Sequence, residues 1–197
     1  SIEQIFTDIN SYIFAKDHVD LYHTYIDGTK IEANANRYTW VWKKSCIKNR
    51  LKVFDKISVL IDSMNQQVLK LEQRKEYAIE YVSQMLEIYK ETTGLDESSF
   101  VSGRGHRKSI HQKQYEELQG YLERLKNYAQ HIEICGEARN SYSKTDHDAT
   151  FMRLKRDYMG NDQLLPAYNL QAAVCDEYIA VIDVKPYASD MECFVPL

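Results

Sequence analysis

The chain has only three prolines, Pro166, Pro186 and Pro196, all in its last part. Nothing before Leu165 is therefore barred from helix on that ground. Its four cysteines, Cys46, Cys135, Cys175 and Cys193, show no CxxC spacing. That speaks against a zinc ribbon or a disulfide framework and for reduced thiols. No apolar run approaches the ~20 residues of a membrane-spanning helix. The opening residues, Ser1-Ile2-Glu3-Gln4-Ile5-Phe6, lack the basic start and apolar centre of a signal peptide. Gly103-Arg104-Gly105 is not followed by Gly-Lys-Ser/Thr, which excludes a P-loop. The Ser, His and Cys residues form no recognisable nucleophile–base pattern. What is left is ordinary for a globular protein: 197 residues, 44% apolar and 27% charged. That is enough chain to bury a core in one large or two small domains.

The formal charge of −4 argues mildly against a protein dedicated to coating nucleic acid, but the charge is laid down in blocks. Between Arg37 and Lys56 stand seven basic residues (Arg37, Lys43, Lys44, Lys48, Arg50, Lys52, Lys56) and one acid, Asp55. Arg104, His106, Arg107, Lys108, His111 and Lys113 make a second basic stretch without an acid, and Glu72 to Glu97 between them is acidic. Such asymmetry fits a surface that meets phosphates on one side; a solvated helix face gives the same pattern.

Periodicity predicts the elements. Ile2, Ile5, Phe6, Ile9, Tyr12 and Ile13 share one face of a helix over 2–16. A β-branched and aromatic run predicts a strand at about 20–33. From Lys43 to about Glu91, Ile47, Phe54, Ile61, Val68, Val82 and Tyr89 fall on a seven-residue spacing, with Ile57, Met64, Leu71, Ala78 and Met85 three positions later; Lys75 is the one misfit. This heptad pattern predicts a helix ~70 Å long if unbroken, stopped at Gly94. After a polar loop over 95–106, Tyr115, Leu118, Leu122, Leu125, Ala129 and Ile132 repeat the pattern up to Gly136. Two such helices are expected to fold back as an antiparallel hairpin. Beyond them, Asp146 or Asp148 is expected to cap a short helix through Phe151, Leu154 and Lys155. Tyr168–Cys175 and Tyr178–Val184 read as a strand hairpin. The expected class is α+β, mostly helical. Its expected parts are a helical tail (1–18), a first core strand (19–42), a helical insertion (43–136) and a second core segment (137–197).

Asp27 is the leading candidate for chemistry. Asp27-Gly28 after an apolar run reads either as a hairpin turn or as a strand that continues through Thr29, Ile31 and Ala33. Asp146-His147-Asp148 looks chelating, but neighbours in sequence do not share a face, which favours capping. Trp40 and Trp42 beside Lys43 and Lys44 read as packing, with base stacking as the alternative.

The run Asp27 to Asn36, with Tyr38 and Trp42-Lys43-Lys44, resembles the first catalytic segment of bacterial insertion-sequence transposases of the DDE type. Ser141 to Asp146, followed by Asp148 to Arg153, is similar to a second signature of that group. Gln163-Leu164, Pro166 and Tyr168-Asn169-Leu170-Gln171 is similar to a third. His147, where proline is common, and Leu165-Pro166-Ala167-Tyr168, in place of Lys-Pro-Gly-Tyr, depart from the pattern. The resemblance implies an RNase H-like core interrupted by the helical insertion, with Asp27 as a catalytic carboxylate and metal ligand. It implies Mg²⁺ or Mn²⁺, hard ions that oxygen donors suit. It also implies transposon-end and target DNA as partners, a homodimer, and a cytoplasmic, nucleoid-associated bacterial protein. Arg37, Lys43, Lys44, Lys48, Arg50, Arg104, Arg107 and Lys108 are then the DNA-contact candidates. Lys144, Asp146, Asp148, Arg153, Tyr168 and Asn169 are signature residues without an assigned role. The family's second Asp and its Glu are expected beyond Leu197, with Asp183 and Asp190 read as a strand and a loop residue. The stretch 1–197 is on that count expected to be inactive by itself. Two non-catalytic alternatives stand beside this one: a remnant that only binds DNA, and a coiled-coil scaffold.

Overall fold

A computed structural model describes residues 1–67, 70–103, 105–155, 160 and 162–193. Val68, Arg104 and 194–197, which enter the readings above, lie outside the described residues. The chain is mixed α+β with antiparallel sheets, and it divides into two compact units, 1–41 with 137–197, and Trp42–Gly136.

The first unit begins with helix α1 (Ile2–Asp17), capped by the Ser1 side chain and ended by His18 in a left-handed conformation. Its partners are on a strand distant in sequence. Asn10 Nδ2 donates to the Ile179 and Ala180 carbonyls at 3.0 and 3.2 Å, and the Tyr178 hydroxyl donates to Asp17 at 2.6 Å. Strand β1 (Thr24–Glu32) is followed by the three-residue β2 (Trp40–Trp42). After the second unit come β3 (Ser141–Ser143), β4 (Thr150–Met152), β5 (Leu165–Cys175) and β6 (Tyr178–Lys185). Strand β5 is the centre of the main sheet. It pairs antiparallel with the whole of β1 through residues 167–175, and antiparallel with β4 and β6. Asp176, left-handed at φ 52°, turns β5 into β6, as the hairpin reading requires. The short pair β2–β3 forms a second sheet.

Residues 141–155 depart from expectation. In place of a capped helix the chain makes β3, a turn and β4. Thr150, Phe151 and Met152 are all buried. A β-branched and an aromatic side chain fit a pleated, buried surface better than a helix turn. Strand β5 also starts three residues earlier than its apolar run, taking in Pro166, whose carbonyl accepts from Ala33 N at 2.8 Å. Asp190 opens a short helix, α5 (Asp190–Cys193), where a loop is expected.

The second unit contains α2 (Lys43–Asn65), α3 (Ile79–Thr93) and α4 (Ile110–Cys135). The single long helix of the heptad reading is therefore broken between Asn65 and Ile79. The break has a local agent. Asn65 Oδ1 accepts from Leu71 N at 2.7 Å and its Nδ2 donates to Leu71 O at 2.9 Å, so a side chain takes both backbone groups of one residue. Competition of this kind is what makes Asn a poor helix-interior residue. The segment then lays Tyr77 against α2, with its hydroxyl 2.9 Å from that of Ser58 and accepting from Arg74 N at 3.2 Å. In an unbroken helix Ser58 and Tyr77 would be ~28 Å apart. Lys75, the misfit of the heptad pattern, lies in this non-helical stretch. The gain is a shared core: Ile57, Ile61, Met64, Val82, Met85, Tyr89, Leu118 and Leu125 are essentially inaccessible to solvent and form one cluster. Gly94 ends α3 in a left-handed conformation at φ 63°, and Leu95 N reaches back to Lys90 O at 3.1 Å. Gly136 ends α4. No described helix is long and apolar enough to cross a membrane.

Candidate functional site

Asp27 lies in the middle of β1, opposite Ala172 of β5. The strand reading of Asp-Gly therefore holds in place of the hairpin turn. The aspartate side chain is 95% exposed, with Lys155 Nζ 3.9 Å from Oδ1. The same oxygen accepts from Gly28 N at 2.8 Å, and the Lys155 ammonium donates to Gly28 O at 2.7 Å. An exposed pair at this distance contributes little to stability. Lys155 is a neighbour that the sequence reading did not find. No local spacing signals it, because it arrives from a segment 127 residues beyond Gly28.

Gly28 explains why no side chain follows Asp27. A Cβ there would stand 2.3 Å from the Gln171 Nε2 atom. Gln171 is buried and donates to Asn169 Oδ1 at 2.9 Å, and Asn169 Nδ2 donates to Asp190 Oδ1 at 2.8 Å. Asn169 thus belongs to a polar chain that runs from the buried Gln171 to the exposed Asp190 and ties β5 to α5.

The other signature residues act on the backbone. Asp146 Oδ1 accepts from Asp148 N at 3.1 Å and from Ala149 N at 3.3 Å, and its Oδ2 accepts from the Tyr168 hydroxyl at 2.7 Å. The aspartate caps a hairpin turn, not a helix. Asp148 is exposed and contributes through its backbone, its carbonyl accepting from Arg139 at 3.3 Å. Lys144 N donates to Thr39 O at 2.9 Å, and Thr145 Oγ1 accepts from Asn36 N at 2.8 Å. These two bonds fasten the β3–β4 turn to the segment that leaves β1. Arg153 pairs with Asp162 at 3.5 Å on the surface. The Tyr168 phenol is pushed up to about 12, first by burial and then by its bond to Asp146. The neutral phenol is the form the fold holds, so its contribution is present below pH 10, the ordinary tyrosine value, and is lost as pH rises through 12. Asp146→Ala is expected to lower the Tyr168 titration only in part in ultraviolet absorbance, since burial remains, and to cost about 2 kcal/mol in denaturant unfolding. An unchanged phenol titration would remove Asp146 from this role.

The basic candidates divide. Lys44 and Lys48 are exposed on α2 and Arg107 is exposed before α4. Lys43 Nζ donates to Gly136 O at 2.6 Å, joining the start of α2 to the end of α4. Arg50 is half-buried, and its Nε is enclosed without a hydrogen-bond partner. Arg37 pairs with Glu32 at 3.5 Å and Lys108 with Glu116 at 2.6 Å. Trp40 packs edge-to-face on Phe151 at 6.1 Å, the packing role, although almost half of it remains exposed.

Among the described residues no three His, Cys, Asp or Glu side chains lie together in a way that could hold a metal ion. A groove of about 530 Å³ between α2 and α4 is lined by Val59, Leu60, Ile110 and Tyr121, with Ser63 and Gln114 also on its wall. It lies in the helical unit, whereas Asp27 belongs to the sheet unit. Compared with known proteins, the chain matches no family model, no curated protein and no solved structure.

Proposed function

We propose that the chain is part of a DNA transposase of the DDE type, in which Asp27 is one of the carboxylates of an RNase H-like core. The observation that carries this reading is the position of Asp27. Its carboxylate projects from the middle of a strand, not from a turn, and β1, β5 and β6 lie side by side and antiparallel with the acid-bearing strand outermost. Among the described residues β1 is paired on one edge only, so a further strand carrying a second carboxylate has a place to add. The three signatures and the helical unit between β1 and β5 agree with that order.

The chemistry sets a strict donor requirement. Hydrolysis of a phosphodiester and attack by a 3′ hydroxyl both run through an in-line displacement, which two divalent ions stabilise at the attacking and leaving oxygens. Several carboxylates must hold such ions. Here one carboxylate stands beside an ammonium group. The donors present do not fit a metal pair. Asp27 supplies one ligand, and Lys155 would have to withdraw from it before a cation could bind.

The stretch 1–197 is therefore expected to leave supercoiled plasmid intact in Mg²⁺ or Mn²⁺; nicking that is lost in Asp27→Asn would overturn the donor argument. The family reading is tested by extending the reading frame beyond Leu197. A strand bearing Asp and a later helix bearing Glu support it, as does end cleavage by the longer product that Asp27→Asn abolishes. Cleavage that survives Asp27→Asn sinks it. The Lys155 ammonium at 3.9 Å favours a second reading, a module that binds DNA without cutting it. A stop codon or frameshift directly after Leu197 would select that reading.

A further inference from the structure

Six basic side chains lie on the first four turns of α2, and their surroundings separate them. Lys43 is bonded to Gly136 and Arg50 is turned into the packed side of the helix beside Phe54, Tyr77 and Leu125. The other four, Lys44, Lys48, Lys52 and Lys56, are all exposed and recur at every fourth position. On an α-helix that spacing makes one slowly turning line ~18 Å long. It runs opposite Cys46, Val53 and Ile57, which are buried. None of the four enters an ion pair among the described residues. Asp55 is the one acid among them on α2, and Glu117 of α4 lines the same groove as Lys56, as does Lys113.

We propose that Lys44, Lys48, Lys52 and Lys56 form a docking track for the phosphate backbone of duplex DNA. This rests on the reading of the chain as a DNA-acting protein and names the surface that carries the contact. Like charges four residues apart oppose one another. Lys43 and Lys44 also occupy the first turn of α2, which has no acid, at the end of the helix where the dipole favours anions. The arrangement works against the free helix and is relieved by a polyanion along its flank. Lysine binds phosphate as a point charge, so the track positions DNA without reading its sequence. The outer face of α2 offers Ser45, Asn49, Leu51 and Val59 between and beside the lysines, and no aromatic ring. It therefore lacks the stacking platform that single strands require. A membrane is disfavoured because the apolar face of α2 is already buried in the helical core.

The test is fluorescence anisotropy of a labelled duplex of arbitrary sequence with the full 1–197 chain, titrated over a series of salt concentrations in EDTA. The quadruple variant K44Q/K48Q/K52Q/K56Q is expected to reduce the slope of log K against log salt by about 3 to 4, at ~0.9 per phosphate contact. The charge-matched variant K16Q/K70Q/K75Q/K126Q, with four exposed lysines elsewhere, is expected to change it by less than about 1. Far-ultraviolet circular dichroism checks that both variants keep the wild-type helix content. An equal loss in the two variants, no binding by the wild type, or tighter binding of duplex RNA or anionic vesicles than of duplex DNA would each overturn the proposal. Because the titration is run in EDTA, its outcome does not depend on a metal held by Asp27. Failure of the metal reading would thus leave the track standing, and failure of the track would leave the metal reading standing.

Discussion

Leu118→Ala is expected to destabilise the helical unit by about 3 kcal/mol, because removing a fully buried leucine forfeits its transfer free energy and leaves a cavity. Leu118 has no accessible surface and belongs to the cluster formed by Ile57, Ile61 and Met64 of α2 and Val82, Met85 and Tyr89 of α3. One truncation on α4 therefore loosens its contact with both neighbours. Denaturant unfolding followed by circular dichroism measures it. Val59→Ala, on a side chain 71% exposed, serves as the comparison and is expected to stay within about 0.5 kcal/mol of the wild type. A Leu118→Ala loss no larger than that of Val59→Ala would mean that the helices do not share a core and that the break after Asn65 has another cause.

The second large effect is expected at Gly28. Substitution by Ala places a Cβ 2.3 Å from the Gln171 amide nitrogen, a distance no real Cβ contact tolerates. Gln171 is 2% exposed and bonded to Asn169, so it has little freedom to retreat. The expected cost is about 2–3 kcal/mol, from the forced shift and from hydrogen bonds left unmade in a buried place. A double-mutant cycle identifies the cause. In a Gln171→Ala background, where the obstructing amide is gone, Gly28→Ala is expected to cost at least about 1 kcal/mol less. Additive losses would show that the glycine answers some other demand. The same cycle bears on the candidate site, since Gly28 is the residue next to Asp27 and shares its backbone with it.

Where local signals were sufficient, the sequence was readable. The apolar face of 2–16, the two stops at Gly94 and Gly136 and the apolar runs around Asp176 all act within a few residues, and the elements they imply are present. The mid-strand position of Asp27 was only half readable. Asp-Gly by itself favours a turn, and what keeps the chain extended is β5, whose partner residues 167–175 lie far along the chain.

The failures share one property. Strands β3 and β4 are three residues each, too short for a pattern of two to register. Their burial and the turn at Asp146 depend on Tyr168 and on the segment after β1, neither of which is near in sequence. The heptad pattern across 43–91 is real as apolar spacing, yet it cannot distinguish one helix packed along a partner from two helices that fold back over the same core. Asn65 and Tyr77 decide that with bonds across the break.

By itself, then, the sequence determined the first helix, the helical ends of 43–91, the helix before Gly136, the strand through Asp27 and the strands on either side of Asp176, that Asp27 stands in an apolar run, and that positive charge gathers at 37–56. These follow from side-chain periodicity and backbone preference, which act locally. Only the tertiary structure decided that Lys43 and Arg50 are drawn into the fold while Lys44, Lys48, Lys52 and Lys56 are left to solvent, that Asp146 holds a backbone turn while Asn169 links the Gln171 and Asp190 side chains, and that Lys155 is the neighbour of Asp27. Those outcomes depend on which faces are buried and which distant groups meet, and burial and long-range contact are properties of the packed chain, not of any stretch of it.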